Sequence, residues 1–454
     1  MLEDLKSTIH ADAARSFNEI ADELVKKLSD ERGWEVTYKN AFVPDVSISK
    51  TITDSDITGK IEFGKVDWLG NETDRYFVCN NRQIGLHGED YSQFDKLSIS
   101  VYKIKSIHNK ISLSFIKDTI FEWLEKTYTK EIKMNMVDYL IEECEKAIEE
   151  LEVWIPIAET YIQSEFRIGQ IEFKTIKKDL IDKWADRAIN KYNNQEADSI
   201  RKSILRNYRK LQGIAAGTFK IIAEKERALE LARLNLEDAL SILRYYCPAN
   251  FDPLLVSNCV AIGNDKSGKA ISIIIDKDGK SYGTEEILKP YQKPWLISTQ
   301  DLRFFERGGF NKLCEIIDKN EMNDFQTKLL EAINLYSRNC LAQDISTKLL
   351  FILSSLETLL LKDPNEPIVQ NISERIAFLI GKNASARMEI AANIRRLYDI
   401  RSKFVHHGKE ISELETIRKF MVYAWTFYQV LIANSDNIPN HLSLIISIER
   451  RKFI

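Results

Sequence analysis

The sequence predicts an α+β fold that is mainly α, with a small antiparallel β region near the N-terminus, a long helical middle, a small β-meander and a C-terminal helical bundle. Two observations predict it. Between residues 34 and 107, short segments of β-branched and aromatic residues are separated by glycine and proline, a pattern typical of short strands. From about 111 to 246 the chain is almost free of proline and has the apolar spacing of amphipathic helices.

At 454 residues the chain is longer than one hydrophobic core usually supports. The changes in pattern along it predict five parts. These are an N-terminal α/β region (1–110), a long helical hairpin or arm (111–250), a β-meander with a connector (251–319), a helical bundle (320–440) and a C-terminal tail (441–454).

The N-terminal part is predicted to begin with a helix over residues 3–31, where apolar side chains recur every three or four positions. Short alternating segments then predict an antiparallel sheet, because glycine and proline separate them like turns. The predicted strands cover residues 34–38, 60–63, 76–79 and 97–102.

The middle part is predicted to be long helices with a break at residues 190–195, which read NKYNNQ. Residues 142–152 and 223–240 have the charge-rich surface of a helical hairpin or a coiled-coil arm. Residues 170–213 carry eleven Lys/Arg against six Asp/Glu, a net charge of +5, interleaved with aromatic residues. Such a pattern is typical of a face that binds single-stranded nucleic acid. It is also typical of a solvated helix with aromatics in the core, and the core-like spacing favours this second interpretation.

A β-meander is predicted over residues 256–287, with strands at 258–262 and 270–275. Residues 263–270 (GNDKSGKA) come close to a phosphate-binding loop, but Ala270 replaces the Mg²⁺-binding hydroxyl and AISIII follows. This apolar run predicts a strand, not the helix that would hold phosphate, so we expect a hairpin turn. Residues 288–319 are predicted to be a connector with one helix.

The C-terminal part is predicted to be a bundle of helices joined by short links. Their apolar stripes place the helices at residues 324–343, 346–361, 372–380, 384–407 and 412–433. The longest uncharged apolar run, 420–433, is too short to span a bilayer and is typical of a buried core helix.

Composition indicates a globular protein: 44% of the residues are hydrophobic and 29% are charged. The net charge of −4 does not indicate nucleic-acid binding, so any RNA site must be a local patch.

The six scattered cysteines fit free thiols in a reducing cytosol. The N-terminal residues lack the apolar region of a signal peptide. We therefore expect a cytoplasmic protein without metal, cofactor or membrane contact.

The candidate catalytic residues are Arg401 and His406, within the stretch LYDIRSKFVHHGKE at residues 397–410. Arginine grips phosphate through a bidentate fork, and histidine exchanges protons near neutral pH. On a helix, five residues correspond to a rotation of about 140° about the axis and a rise of about 7.5 Å, so the two side chains are not stacked neighbours. One chain supplies one histidine and one arginine, which is half of an acid–base pair for cleaving RNA through its 2′-hydroxyl. An isolated pair of this spacing also fits a surface salt bridge and a histidine at a helix end.

Three blocks in order carry a resemblance to a known family: KLLFILSSLETLLL (348–361), SERIAFLI (373–380) and LYDIRS-x3-H (397–406). Together they resemble the HEPN ribonucleases, and within them the Apea-like branch of bacterial antiviral and abortive-infection proteins. The resemblance covers about residues 320–440. It implies a HEPN-like helical bundle, an R-x4-H endoribonuclease site and pairing of two chains about a two-fold axis, so that both motifs share one cleft.

Three further residues are auxiliary candidates. Ser402 follows the arginine where the family often has Asn, Asp or His, which leaves the detailed geometry open. His407 lies a further 100° around the helix and is expected to point elsewhere. Glu357 is the one charge within LSSLETLLL, and it fits either a partner that orients Arg401 or Arg375, or a plain buried ion pair.

The resemblance implies a metal-independent endoribonuclease that acts on RNA, with tRNA among the candidate targets, as an antiviral or toxin-like effector. Residues 1–319 would then sense a trigger or restrain the nuclease. The alternatives are a non-catalytic dimerisation or RNA-binding subunit of a defence complex, and an accessory subunit that works with a separate ATPase or nucleotidyltransferase. For the expected homodimer, the candidate core or interface residues of the bundle are Leu329, Leu356, Trp425 and Phe427.

Overall fold

The computed structural model describes residues 8–30, 64–66, 72–80, 82–189, 194–257, 260–263, 269–275, 281–287, 294–319, 321–363, 365–407 and 412–453. Within these residues the chain is α+β and mainly α, as predicted. It forms two compact units. The first comprises Met1–Glu152 with Lys220–Leu231, and the second comprises Val153–Phe219 with Ala232–Ile454.

The elements of the first 223 residues are, in chain order, α1 (Ala11–Lys27), β1 (Ser29–Asp30), β2 (Gly64–Val66), β3 (Glu72–Cys79), β4 (Arg82–His87), α2 (Gly88–Tyr102), α3 (Lys105–His108), α4 (Leu113–Tyr128), α5 (Met136–Ala147), β5 (Glu149–Pro156), β6 (Thr160–Ile162), β7 (Phe166–Ile168), β8 (Ile171–Thr175), α6 (Lys178–Ile189), α7 (Asn194–Tyr208) and β9 (Ala215–Ala223).

The elements that follow are α8 (Lys225–Tyr245), β10 (Lys269–Ile275), β11 (Ser281–Ile287), β12 (Trp295–Ile297), α9 (Thr299–Arg307), α10 (Phe310–Ile317), α11 (Asp324–Ser337), α12 (Ile345–Leu360), α13 (Ile368–Ile380), α14 (Ala384–His407), α15 (Leu414–Ala433) and α16 (His441–Arg450). Among the described residues, no helix is long and apolar enough to cross a membrane.

The first unit contains an antiparallel sheet in the order β1-β4-β3-β2, whose core is shared with α1, α2, α4 and α5. α1 confirms the predicted N-terminal helix over Ala11–Lys27, whereas Ser29–Asp30, predicted as part of this helix, form β1; the strand at 76–79 is confirmed by β3. The predicted strand at 97–102 is wrong, because these residues end α2. Leu97 and Val101 are one helical turn apart and both are buried against the core, so packing overrides the β propensity of the segment. The predicted strands at 34–38 and 60–63 lie outside the described residues.

The prediction of long helices throughout 111–250 is wrong for residues 149–175 and 215–223. These form β5 to β9, and four of the five strands make a sheet in the order β5-β9-β8-β7. In β8 the local reason is the alternation of apolar and polar residues that suits a strand: Ile171 and Phe173 are buried, and Glu172 between them is exposed. The predicted break at 190–195 falls between α6, which ends at Ile189, and α7, which begins at Asn194; residues 190–193 lie outside the described residues.

The predicted meander is confirmed in part. β10 and β11 form an antiparallel pair in register from Lys269 opposite Ile287 to Ile275 opposite Ser281. The run AISIII therefore lies in a strand, as expected. The predicted strand at 258–262 is wrong within its described part, which contributes one isolated bridge from Ile262 to Ile157. The connector contains two helices instead of one, because Gly309, with φ of 91°, separates α9 from α10.

The structure has α11 to α15 where five helices were expected. The apolar run 420–433 lies in α15, where Phe420, Met421, Phe427, Tyr428, Leu431 and Ile432 are buried and Val422 is exposed. The predicted tail contains a further helix, α16, whose Leu444, Ile445 and Ile448 are buried. Five of the cysteines are free, as expected, and the sixth, Cys259, lies outside the described residues; the five are Cys79, Cys144, Cys247, Cys314 and Cys340.

Arg375 of α13 joins the bundle to its last helix. The side chain is only 1% exposed. Its guanidinium donates to both carboxylate oxygens of Glu366 at 2.7 and 2.9 Å, to Glu449 of α16 at 2.9 Å, and to the carbonyl oxygen of Leu360 at the end of α12. These hydrogen bonds hold the pKa of Glu366 down at about 2 and also lower the pKa of Glu449.

We predict that Arg375→Met lowers the free energy of unfolding at neutral pH by about 3–5 kcal/mol, because it leaves two carboxylates without their buried cation. The ion pair of Glu366 stabilises the fold above pH 4.5, its ordinary pKa, and this contribution is lost as the pH falls towards about 2. Chemical denaturation between pH 7 and pH 2 should therefore show that the free energy of unfolding falls less with decreasing pH in Arg375→Met than in the wild type.

Lys419→Met is the matched control, because Lys419 forms an exposed pair with Glu389 at 3.5 Å, and it should change stability by less than about 1 kcal/mol. Glu449→Gln is a milder second variant that removes one partner of Arg375. An acid dependence in both Arg375→Met and Glu449→Gln equal to that of the wild type would contradict the prediction.

Candidate functional site

The R-x4-H motif lies in the last two turns of α14, at the helix end expected from the sequence. α14 packs against α12, α13 and α15. Its buried face consists of Ile390, Ala391, Ile394, Leu397, Tyr398 and Ile400. The apolar face thus fixes the helix in the bundle, and its final turns present the motif residues near the surface.

The described side chains of the motif differ in exposure. Arg401 is half-buried, whereas Ser402, Lys403 and Phe404 are exposed. His406 and His407 belong to the helix by their backbone, but their side chains lie outside the described residues, as does Gly408. The predicted meeting of Arg401 and His406 in one site therefore stays a prediction.

Glu357 of α12 bonds to the motif helix through a tyrosine. The phenol of Tyr398 donates to a carboxylate oxygen of Glu357 at 2.9 Å. Burial raises the pKa of Tyr398, the negative charge of Glu357 raises it further, and the positive charge of Arg401 opposes the shift. The charge of Arg401 is therefore close enough to act on this pair, one turn further along α14.

The ion-pair prediction for Glu357 is wrong within the described residues. Arg375 takes its carboxylate partners from Glu366 and Glu449, and Arg401 forms no ion pair with Glu357. Tyr398 precedes Arg401 by one helical turn, and its phenol donates to one oxygen of this carboxylate. Sequence reasoning missed Tyr398, although its position three residues before Arg401 places both side chains on one helix face.

Arg401 differs from its neighbours on α14 in having no carboxylate partner. Arg395 pairs with Glu374 at 3.9 Å, Arg396 with Glu413 at 3.0 Å, and Lys403 with Asp399 at 3.7 Å. In the part of the chain that the structure describes, Arg401 makes no ion pair and no hydrogen bond. Its guanidinium therefore keeps its donors for an anion, which the surface salt bridge considered from the sequence would have occupied.

Three of the four residues suggested for the core or for an interface belong to the core. Leu329, Leu356 and Phe427 are fully buried in the single chain. Trp425 is half-buried and stacks on Phe304, with ring planes 4° apart. Among the described side chains of α14 and α15, the exposed large apolar residues are Met388 at 68%, Phe404 at 36% and Val422 at 45% exposure.

We predict that Glu357 and Tyr398 are coupled in a double-mutant cycle. Tyr398→Phe removes the hydrogen bond and Glu357→Gln removes the negative charge that strengthens it, so the double variant should lose less stability than the sum, by a coupling of about 1–2 kcal/mol. The free energies of unfolding of the four proteins give this coupling. Ser354→Ala with Tyr398→Phe is a control pair without a shared bond and should be additive. Additive losses for the first pair would refute the bond.

No family model matches the chain, and no curated protein or solved structure does. The likeness to the HEPN ribonucleases therefore rests on the three sequence blocks and on the helices that carry them. A chemical role for Arg401 and His406 depends accordingly on their residue types, their helix position and the free charge of Arg401.

Proposed function

We propose that the chain is a metal-independent endoribonuclease that cleaves RNA by attack of the 2′-hydroxyl, acting as an antiviral, abortive-infection or toxin-like effector. The observation that carries the proposal is the state of Arg401. It is half-buried at the end of α14 and, within the described residues, has no carboxylate partner although each of its charged neighbours has one. A cation held in this way is suited to a phosphodiester.

The chemistry needs two proton transfers and one positive charge. An imidazole takes the proton of the 2′-hydroxyl, and the 2′-oxygen then forms its bond to phosphorus. The bond from phosphorus to the 5′-oxygen breaks, an imidazolium protonates that oxygen, and a 2′,3′-cyclic phosphate remains. Arginine stabilises the extra negative charge on the phosphorane oxygens. His406 and Arg401 are the residues to which we assign these roles.

A dimer supplies the base and the acid as two separate groups, whereas a single imidazole would have to take the proton and return it one after the other. Two chains related by a two-fold axis bring two copies of His406 and two of Arg401 to one cleft. The large side chains inside the bundle are already buried, so we assign the contact to the exposed apolar residues Met388, Phe404 and Val422. Residues 1–319 are then available to sense a trigger or to restrain cleavage.

The second candidate function is an RNA-binding or dimerisation subunit without cleavage, in a complex whose catalytic or nucleotide-hydrolysing activity comes from another protein. Ser402 favours it, because an exposed serine stands where the family often has a residue with more hydrogen-bonding groups. The two functions share the phosphate-binding role of Arg401. They differ in the need for His406.

Arg401→Ala and His406→Ala should each reduce cleavage of total RNA or tRNA by about 100-fold or more, because each removes a group acting in the transition state. The free energy of unfolding should change by about 1 kcal/mol or less at this helix end. Gel analysis of the RNA and mapping of its termini provide the measurement. Cleavage by the wild type should persist in EDTA and leave 2′,3′-cyclic phosphates.

Lys403→Ala is the matched control, since Lys403 is an exposed cation of the same turn that already pairs with Asp399, and it should keep full activity. Cleavage that His406→Ala retains in full would refute the nuclease and favour the binding subunit. Activity lost in EDTA and restored by magnesium or manganese would refute the metal-independent chemistry.

A mixed dimer of Arg401→Ala and His406→Ala chains should show weak cleavage that neither variant shows alone. Its shared cleft keeps one arginine, from the His406→Ala chain, and one histidine, from the Arg401→Ala chain. Co-expression with two different tags and tandem purification yields the mixed species. An active monomer in sedimentation, or a mixed dimer as inactive as both parents, would contradict the shared cleft.

A further inference from the structure

A second positively charged surface lies on the helical hairpin α6–α7. Residues 170–213 carry a net charge of +5 in a chain of net charge −4. The hairpin packs onto the neighbouring sheet through a small core of Ile176, Ile181, Ala185, Leu205 and Ala216. With its apolar face buried there, α7 presents its remaining side chains to solvent.

Four cations follow one side of α7 and the 3-10 turn after it, and we call them the α7 stripe: Lys202, Arg206, Arg209 and Lys210. All four are exposed. Arg206, Arg209 and Lys210 follow Lys202 by four, seven and eight residues, spacings that place side chains on the same side of a helix. The α7 stripe extends about 12 Å along the helix axis. The spacing gives a line of positive charge, which suits a chain of phosphates better than a single anion.

The α7 stripe is not neutralised by the residues that the structure describes: none of its four members forms an ion pair with them. The neighbouring Arg201, by contrast, bonds to Asp186 at 2.8 Å. On α5 the exposed Lys146 pairs with both Glu142 and Glu143. Among the described residues, the cations of the α7 stripe have no carboxylate partner of this kind.

An aromatic ring is also exposed at the end of α7. Trp184 packs edge-on against Trp154 at 5.5 Å and against Tyr208 at 6.2 Å between centroids. Of the described aromatics of this segment, Phe173 is fully buried, Trp184 is half-buried and Tyr208 is 42% exposed. Tyr208 therefore reaches the surface and offers a ring on which a base can stack.

The outward side of α7 is polar. Ser203 and Asn207 are exposed between the cations. A helix that binds a membrane surface places large apolar residues next to its cations, whereas among the described side chains of α7 no aliphatic one is exposed and Tyr208 is the one large ring at the surface. The combination of a line of free cations with an exposed ring and polar surroundings fits a nucleic-acid strand.

We propose that the α7 stripe and Tyr208 bind single-stranded nucleic acid, with the cations on successive phosphates and the tyrosine ring on a base. The proposal goes beyond cleavage and does not depend on it, because α7 belongs to a different part of the chain from the motif helix. If the chain is a nuclease, the stripe is a docking surface that raises the local concentration of RNA.

The test measures binding of the full-length chain to a labelled single-stranded RNA by fluorescence anisotropy over a range of salt concentrations. The RNA carries 2′-O-methyl groups, so that it cannot be cleaved through its 2′-oxygen. Single-stranded DNA of the same sequence is a second arm, since both strands share the phosphate backbone. The double variant Lys202→Gln/Arg206→Gln should weaken the binding of both the RNA and the DNA. It should also make the slope of log K, the logarithm of the binding constant, against the logarithm of the salt concentration less steep by about 1.4, which is 0.7 for each lost phosphate contact.

Arg303→Gln/Arg307→Gln is the matched control. These two arginines are also exposed and four residues apart, on α9, so the double variant removes the same charge from another surface. It should leave the slope unchanged. For the ring, Tyr208→Leu should weaken binding by about five-fold or more and Tyr208→Phe should retain it, because stacking uses the ring and not the hydroxyl.

Equal losses of affinity in the α7 and α9 double variants would overturn the proposal, because the net charge of the chain, and not the α7 stripe, would then explain the binding. An unchanged slope in Lys202→Gln/Arg206→Gln would overturn it as well. Tighter binding of polyglutamate or of anionic vesicles than of either nucleic acid would assign the stripe to an acidic protein or to a lipid surface instead. Loss of binding in the α7 variants supports the proposal whether or not the wild type cleaves RNA.

Discussion

The buried guanidinium of Arg375 is the interaction on which the C-terminal bundle depends. A charge placed out of water is stable only if its hydrogen-bonding groups find partners. Arg375 obtains them from three places: Glu366 in the link before α13, Glu449 in α16 and the end of α12 at Leu360. None of these segments can shift without exposing part of the charge, so α13 is fixed, and α14 packs directly against it.

Aromatic packing holds the other side of the motif helix. Tyr428 and Trp425 of α15 contact Tyr245 at the end of α8, and Tyr428 also packs against Tyr336 of α11 at 5.0 Å. α14 therefore lies between two helices whose positions are set independently, by an ion network and by ring contacts. A motif at the end of a helix held on both sides has little freedom to drift, which suits a site that must position phosphate to a fraction of an ångström.

Unpaired positive charge links the two proposed sites. Near Arg401 the cations Arg395, Arg396 and Lys403 are each paired with a carboxylate, and beside the α7 stripe Arg201 is paired with Asp186. Arg401 and the four cations of the stripe are not, within the described residues. Since the whole chain is slightly acidic, such cations stand out as local attractive points for a polyanion. One site would act on the phosphodiester, and the other would hold the strand.

The sequence predicted the helices of the C-terminal bundle closely, because long apolar stripes at helical spacing leave little choice of structure. It failed at 97–102 and at 149–175. The first segment alternates like a strand, but Leu97 and Val101 also meet as a helical pair that the core of the first unit buries. In the second, scattered glutamates resembled a charged helix, whereas they occupy the solvent side of strands. Local pattern alone cannot separate these cases, since the decision belongs to the neighbouring elements.

By itself the sequence determined the mainly helical fold class, the end of α14 as the place of the motif, and the residue types that could cleave RNA. It did so because periodicity and side-chain chemistry are local properties. Only the tertiary structure decided which partners those residues have. Glu357 bonds to Tyr398, Arg375 takes Glu366 and Glu449, and Leu329 and Phe427 fill the core. Hydrogen bonds and burial bring together residues that are far apart in the chain, and a local sequence pattern cannot predict which of these residues meet.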